Sequence, residues 1–365
     1  MDYHAWQHHV ARVGGRAYRV ATKPGLFGHE TVDQASVMLA EEARVSPGET
    51  VAFLNCGAGL FGAVAGAQGA ARVLLADRNV LAFEAAARTI ALNDLATGEA
   101  FLSQGSVAFP PGVRASTVAI RIPHERLAWM QLLRDAFALL EAGGTCYVGG
   151  ASNEGVKPAV RAMEQLFGNA MSLSQRGGHR VVRSVKRQSL PMDGELLANP
   201  LLAHDAFHEV AAMLRGRPLT LYTRPGVFSW EHLDEATSIL ADTMELRPGE
   251  SVLDLGCGAG ALGVVAGQIT GASVTMLDAD SEALRCAART ADAAGAFPSA
   301  RGNRAIRLGT EQRRGLGIHL PAVGNIAVLV CTEVVGGAQA TVVAAARAPR
   351  AAGVTESAVA GLTAH

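Results

Sequence analysis

The sequence is poor in cysteine, in aromatic residues and in net charge. Its 365 residues include five cysteines, 5% aromatic residues and a formal net charge of −1. A charge so close to zero excludes a global attraction to nucleic acid, so any RNA binding needs a local basic surface. The cysteines form no C-x-x-C pair and no zinc-type spacing, which indicates reduced, buried thiols of a cytosolic protein: Cys56, Cys146, Cys257, Cys286 and Cys331.

Long apolar runs are also missing. No run approaches the ~18 residues that span a bilayer, and the opening MDYHAWQHHVARVGG lacks the apolar core of a signal peptide. We therefore expect a cytoplasmic protein with no membrane partner. The histidine pairs His8–His9 and His204/His208 lack a matching cysteine or carboxylate cluster, so the sequence predicts no metal site.

A long internal repeat is what the sequence does contain. Shifting the chain by 201 positions aligns Lys23–Glu49 with Arg224–Glu250 without gaps and places Asp77 on Asp278. The tetrapeptide AART then coincides with a second AART. This period is too long for a solenoid repeat and indicates two copies of a whole domain. A chain of this length suits two domains of roughly 150–200 residues.

Each copy alternates short apolar runs with helical patterns. This alternation predicts an α/β fold in which a mostly parallel sheet carries helices on both faces. We expect an N-terminal domain at residues 1–195, a linker at 196–222 and a C-terminal domain at 223–365, of which 297–365 diverges from the first copy or is incomplete. The apolar run Asn325–Cys331 is the only candidate strand after residue 296.

A glycine-rich turn in the second copy predicts a cofactor site. In VLDLGCGAGALGVVAG, residues 252–267, an aspartate inside a strand precedes three alternating glycines that open a helix. Glycines there let a ligand approach the backbone, and a carboxylate about 20 residues further on can hold both ribose hydroxyls. The buried aspartate either fixes loop amides or meets a cationic ligand. A sulfonium nucleoside, S-adenosylmethionine, satisfies this pattern, and the predicted binding residues are Asp254, Gly256, Cys257, Gly258, Gly260, Asp278 and Ala279.

The first copy has lost part of this pattern. It keeps Gly57, Gly59 and Asp77, but Phe53 replaces the strand aspartate and Asn55 replaces the first loop glycine. A phenyl ring cannot hold loop amides or a cation, and a side chain at position 55 crowds the backbone approach. We therefore expect a degenerate first domain that keeps the fold without binding the cofactor.

These residues resemble a known family. The two-copy layout, PGVFSWEHLD and VLDLGCGAGALGVVA are similar to the tandem-domain bacterial ribosomal-RNA guanine-N2 methyltransferases, with the small-subunit (16S) enzymes the closer match. In the first domain, residues 122–157 resemble the inactive N-terminal domain of that family. The resemblance implies two Rossmann-like class I methyltransferase domains, S-adenosylmethionine as cofactor, and ribosomal RNA or the small ribosomal subunit as partner. It implies methyl transfer to the exocyclic N2 amine of a guanine.

The catalytic loop of that family is absent from the matching position. The family carries Asn-Pro-Pro-Phe after its fourth strand, where the Asn oxygen and a Pro carbonyl accept the amine protons and the aromatic ring stacks on the base. Here Thr332–Glu333–Val334 follow the candidate strand, so no catalytic residue is predicted. Two alternatives stay open: a small-molecule methyltransferase that uses the same cofactor, and a non-catalytic RNA-binding descendant.

Three weaker signals each have two interpretations. The basic segment Arg176–Gln188 is either a phosphate-contacting surface or an edge strand protected by charge. Phe228 and Trp230 either cover the cofactor cleft or serve packing. Arg121–His124 occupy the first domain's equivalent of the catalytic loop, where they either contact RNA or serve the fold.

Overall fold

The structure, a computed structural model, describes residues 5–187 and 198–295 and three later strands, Ile306–Gly309, Ile326–Cys331 and Val342–Ala348. The chain divides into two units, Met1–Ala206 and Phe207–His365. Each unit begins with a β-hairpin and continues into an α/β sheet.

The first unit opens with an antiparallel hairpin of β1 (Gln7–Val13) and β2 (Arg16–Thr22). Strands and helices then alternate along the chain. They are α1 (Gln34–Glu42), β3 (Thr50–Leu54), α2 (Leu60–Ala67), β4 (Arg72–Asp77), α3 (Val80–Leu92), β5 (Gly98–Leu102), β6 (Ala115–Arg121), α4 (Arg126–Leu139), β7 (Leu140–Ala151), α5 (Val156–Phe167), β8 (Met171–Arg176) and β9 (His179–Val185).

The sheet of the first unit has seven strands in the order β5-β4-β3-β6-β7-β9-β8. The strands β5 to β7 are parallel, and β9 and β8 are antiparallel additions at one edge. Successive residues of β3 face opposite layers, because Phe53 packs with residues of α1 and α2 and Leu54 packs with residues of α4 and α5. The strand order reverses between β3 and β6, which places the topological switch point there.

The second unit repeats this plan. Its elements are β10 (His208–Leu214), β11 (Arg217–Thr223), α6 (Glu235–Thr243), β12 (Ser251–Leu255), α7 (Ala261–Thr270), β13 (Val274–Leu277), α8 (Ser281–Ala293), β14 (Ile306–Gly309), β15 (Ile326–Cys331) and β16 (Val342–Ala348). The sheet order is β14-β13-β12-β15-β16, parallel except for β15 and β16. The predicted α/β class is confirmed, and β15 is the strand expected at Asn325–Cys331. The expectation that it is the only strand after residue 296 is wrong, because β14 and β16 also lie there.

The duplication extends to single hydrogen bonds. The threonine of each AART tetrapeptide is buried and accepts a hydrogen bond from the second hairpin strand: Thr89 from Ala21 N and Thr290 from Tyr222 N, both at 3.0 Å. Each bond ties the hairpin of its unit to a helix, α3 in the first unit and α8 in the second, and such a bond typically contributes about 1 kcal/mol. The constant spacing of the repeat preserves this contact in both units.

The structure differs from the expected linker at 196–222. Residues 208–223 form the hairpin of β10 and β11 in the second unit, at the positions that match the hairpin of β1 and β2. The hairpin was missed because its strands share few identical residues between the copies. They share the turn, where Gly15 and Gly216 both take positive φ.

The described residues contain neither a membrane-spanning helix nor a metal-ligating cluster. Among the residues that the structure describes, no helix is long and apolar enough to cross a membrane, and no group of three or more metal-ligating side chains is present. Apart from β14, β15 and β16, the divergent stretch 297–365 lies outside the described residues.

Candidate functional site

The candidate site is built on the turn between β12 and α7. Gly256, Gly258 and Gly260 have φ angles of 73°, 52° and 84°, the left-handed region that glycine adopts without strain. A side chain at Gly260 would also lie 3.0 Å from the backbone of Ala287 in α8. Glycine therefore gives the turn its conformation without strain at all three positions and allows close packing at the last.

Asp278 stands at the carboxyl end of β13, beside this turn. Its Oδ2 accepts a hydrogen bond from Gly258 N at 2.9 Å, and its Oδ1 accepts one from Asp280 N at 2.9 Å. The two amides hold the carboxylate in one orientation while the side chain stays half-buried at the rim of the turn. This is the position from which the sequence predicts a ribose contact.

Asp254 lies under the turn and is 1% exposed. Its Oδ2 accepts a hydrogen bond from Gly263 N in the first turn of α7 at 2.8 Å. Of the two roles that the sequence leaves open for this aspartate, the contact supports fixing a backbone amide, which here lies at the start of α7. Burial raises the pKa of Asp254 to about 7, against the hydrogen bond from Gly263, and the nearby charge of Asp278 adds to the rise.

A pH-dependent stability follows from this buried carboxyl. Between about pH 4 and about pH 7 folded Asp254 keeps a proton that the unfolded chain has lost, so its contribution to stability falls as the pH rises through that window. Asp254→Asn keeps an acceptor for Gly263 and removes the charge. As the pH rises through this window, we expect the free energy of unfolding of the variant to increase relative to that of the unchanged chain by up to about 1.4 kcal/mol per pH unit. Hydrogen exchange of β12 and α7 measures this difference.

The control for this experiment is Asp292→Asn, which changes an exposed carboxylate in helix α8 of the same unit. Both variants are compared with the unchanged chain at each pH, so the intrinsic pH dependence of exchange cancels. A difference for Asp254→Asn that is constant from about pH 5 to about pH 8 would contradict the raised pKa.

The structure brings the predicted binding residues together. The amides of Gly256 and Cys257 both donate to Leu277 O, at 2.8 and 3.0 Å, which joins the turn to the end of β13. Ala279 is exposed next to Asp278. Cys257 is buried in the core cluster of the second unit, so it packs the turn, and this burial raises the pKa of its thiol.

One buried ion pair near the turn was not predicted. Arg224 and Glu282 are each 1% exposed and meet at 2.7 Å, and Arg285 pairs with the same carboxylate at 2.9 Å. The pair joins the RPG segment to the first turn of α8. The sequence held a partial signal, because a cation, Lys23, occupies the matching position in the first copy, but Leu81 stands where the second copy has Glu282.

The segment that follows Arg224 packs beside the turn. Trp230 is half-buried with Phe207 and Ala259 around a small apolar cluster, and its ring meets the ring of His208 at 5.4 Å. Phe228 is 45% exposed. Packing therefore accounts for Trp230, and Phe228 keeps both of its interpretations.

The first unit preserves the backbone of the turn but changes two of its side chains, Asn55 and Phe53. Asn55 adopts a φ of 56°, the conformation that Gly256 has in the second unit, and its Nδ2 donates to Arg121 O at 2.6 Å. Phe53 is fully buried and its ring meets the ring of Phe61 at 5.2 Å. The turn is therefore supported by aromatic packing where the second unit uses a carboxylate.

Arg121 is a structural residue of the first unit. Its side chain is 8% exposed, and its guanidinium bridges Asp33, at 2.8 Å, and Glu154, at 2.7 Å. Burial raises the pKa of Asp33, but the hydrogen bond and the charge of Arg121 outweigh burial and hold that pKa below its ordinary value. Of the two interpretations of Arg121–His124, the fold therefore accounts for Arg121, while His124 is largely exposed.

The basic segment of the first unit forms part of the sheet edge. Arg176 ends the edge strand β8 and pairs with Glu41, and Arg180 donates to Gln175 at 2.7 Å. Lys186 donates to the carbonyls of Phe137 and Leu140, each at 2.7 Å, near the end of α4. These contacts favour the edge-strand interpretation for the three cations.

The triplet Thr332–Glu333–Val334, at the position of the family's catalytic loop, lies outside the described residues.

Comparison with known proteins matches both units to one family. The model of the methyltransferase small domain matches residues 17–183 and 218–302, which lie in the first and the second unit. The ribosomal RNA small subunit methyltransferase C of Pseudomonas putida (strain GB-1) is 30% identical over 187 residues, 51% of this chain and 53% of that protein. The protein of that name from Haemophilus influenzae (strain 86-028NP) is 45% identical over 73 residues, 20% of this chain and 22% of that protein.

The chain thus spans about half the length, or less, of these curated relatives. A similar solved structure is a T. thermophilus 16S rRNA N2 G1207 methyltransferase in complex with AdoMet and guanosine. Its TM-score is 0.69 at 21% identity, covering 92% of this chain and 82% of that chain. At this identity the match shows a shared fold.

Proposed function

The chain belongs to the methyltransferase small domain family, and from this premise we propose that its second unit binds S-adenosylmethionine and that the protein methylates small-subunit ribosomal RNA at the N2 amine of a guanine. The observation that carries the proposal is that Asp278 holds Gly258 at the carboxyl end of β13 while Asp254, which Phe53 replaces in the first unit, holds Gly263 at the start of α7. The named activity of the Pseudomonas relative and the AdoMet and guanosine of the T. thermophilus structure support it.

The residues of the turn fit this cofactor. Nothing lies within 4 Å of the place where a side chain of Gly258 would stand, so a ligand can reach the backbone there. Asp278 accepts the ribose hydroxyls, and Asp254 fixes the start of α7 through Gly263. The Asp278 carboxylate disfavours a phosphate group and suits a cation. S-adenosylmethionine supplies a methyl group on a positively charged sulfur.

The acceptor base has a defined place in this plan. In parallel α/β sheets ligands bind outside the carboxyl ends of the strands at the switch point, which in this unit is the gap between β12 and β15. The guanine amine must reach the methyl group from the end of β15. Positioning of the two reactants then supplies most of the rate. We propose no catalytic residue.

A methyl-transfer assay tests the proposal. The full chain is incubated with methyl-labelled S-adenosylmethionine and with unmodified small-subunit RNA, free or assembled into subunits, and the digested nucleosides are analysed by mass spectrometry. We expect N2-methylguanosine, and none with Asp278→Ala. Cofactor binding without RNA methylation would contradict the proposed activity and favour a non-catalytic descendant. The observation that favours this second candidate is the absence of an Asn-Pro-Pro-aromatic sequence after Cys331. Label in a small molecule alone would favour the small-molecule enzyme.

A further inference from the structure

The first unit contains a cavity of about 250 Å³ that the proposed function does not use. The loop after β3, the end of β4 and the end of β6 line it, through Asn55, Asp77 and Arg121. This is the switch point of the seven-stranded sheet, where open α/β sheets bind their ligands. A cavity in that place is a candidate ligand site even though the turn beside it is degenerate.

One half of the cavity reproduces the ribose end of the second unit. Asp77 Oδ2 accepts from Gly57 N at 2.9 Å and Oδ1 accepts from Asn79 N at 3.0 Å. In the second unit the corresponding distances at Asp278 are both 2.9 Å. The glycine before the helix also keeps its conformation, with φ angles of 52° at Gly57 and Gly258. A carboxylate fixed in this way is an acceptor for two vicinal hydroxyls.

The walls of the cavity suit a flat base. Leu26, Leu60 and Ile122 provide apolar surface, and Phe27 adds an aromatic ring that is 64% exposed. An aromatic ring stacks with any base, because every base has a π face. A purine covers more of such a wall than a pyrimidine.

The other half of the cavity differs from a methyl-donor site. The bridge from Asp33 through Arg121 to Glu154 occupies the end of β6, so a charged amino-acid tail would have to displace it. The lining holds three carboxylates, Asp33, Asp77 and Glu154, against the one guanidinium. This excess of negative charge disfavours a phosphate.

From this geometry we infer that the first unit binds a purine nucleoside that carries no 5′-phosphate and no charged tail. Asp77 accepts the ribose hydroxyls, and the base lies between Leu26, Ile122 and Phe27. The site is separate from the proposed cofactor site, because every residue that lines it belongs to the first unit.

Hydrogen exchange of the full chain tests this inference with adenosine as the probe. Asp278→Ala first removes the nucleoside contact of the second unit. We expect adenosine to slow exchange at residues 54–60 in that chain, with saturation. Adenosine 5′-monophosphate should need about tenfold more ligand for the same effect, the equivalent of about 1.4 kcal/mol. S-adenosylmethionine should leave residues 54–60 unchanged.

A matched pair of leucine substitutions locates the effect. Ala58 lines the cavity, and Ala259 is its counterpart in the second unit. In the Asp278→Ala chain, Ala58→Leu narrows the cavity while keeping Asp77 and Gly57, and it should abolish the protection, whereas Ala259→Leu should preserve it. Basal exchange of β3 and α2 without ligand shows that each variant is folded.

Three results would overturn the inference: no adenosine protection of residues 54–60 in a folded chain, equal loss in both leucine variants, or equal protection by S-adenosylmethionine. Methylation of RNA without adenosine protection removes this inference alone. Adenosine protection without methylation removes the proposed function alone.

Discussion

Replacement of Arg121 by alanine is expected to lower the free energy of unfolding of the first unit by about 3–5 kcal/mol, the range for removing one partner of a buried ion pair. The side chains of Asp33 and Glu154 are 16% and 4% exposed, and both lose their cation in this variant. Urea unfolding in a Trp230→Phe chain measures the loss, because Trp6 and Trp129 then report on the first unit.

Two further variants separate the ion pair from other effects of the substitution. Arg126→Ala removes an exposed arginine five residues later and should change the stability by less than about 0.5 kcal/mol. Adding Asp33→Asn and Glu154→Gln to Arg121→Ala neutralises both stranded carboxylates and should recover a large part of the loss. The amide oxygen that Asp33→Asn introduces can still cap α1, where Ser36 N now donates to Asp33 at 2.8 Å. A chain that tolerates Arg121→Ala as well as Arg126→Ala would show that the bridge contributes nothing.

The turn after β12 could be predicted because backbone geometry constrains residue type. Left-handed φ angles at three alternating positions favour glycine, so the pattern from Gly256 to Gly260 is visible in the sequence alone. The carboxylate that accepts the hydrogen bond from Gly258 N belongs to Asp278, at the end of the next parallel strand and 20 residues further along the chain. The α/β class was also predictable from local features, because each strand and each helix imposes its own periodicity of apolar residues on the sequence.

The bridge in the first unit could not be predicted, because its members are far apart in the sequence. Asp33 lies 88 residues from Arg121, and Glu154 lies 33 residues beyond it. No local pattern marks them: Asp33 reads as a helix cap and Arg121 as the end of a strand. The cavity beside Asn55 could not be predicted for a different reason. Asparagine tolerates the left-handed region, so losing a glycine did not change the backbone of the turn, and the cavity beside it survived.

Replacement of Asp278 by alanine is expected to weaken S-adenosylmethionine binding by about 10–100-fold, which corresponds to the loss of hydrogen bonds to a charged group worth about 1.5–3 kcal/mol. The carboxylate both meets the ribose in the proposed complex and holds Gly258 N at 2.9 Å. Isothermal titration calorimetry on the full chain measures the affinity. It also gives the stoichiometry, expected to be one cofactor per chain.

The matched control is Asp77→Ala, because Asp77 makes the same two contacts with its own turn in the first unit, at 2.9 and 3.0 Å. Both substitutions remove the same pair of amide contacts from one unit, so the comparison separates contact with the cofactor from loss of those hydrogen bonds. We expect the affinity of the Asp77→Ala chain to equal that of the unchanged protein. Loss of binding in Asp77→Ala alone would assign the cofactor to the first unit, and unchanged binding in both variants would remove the ribose contact from the proposed site. The comparison is decisive because the duplication supplies two turns that share a backbone and differ in the residue beneath it, Phe53 in one and Asp254 in the other.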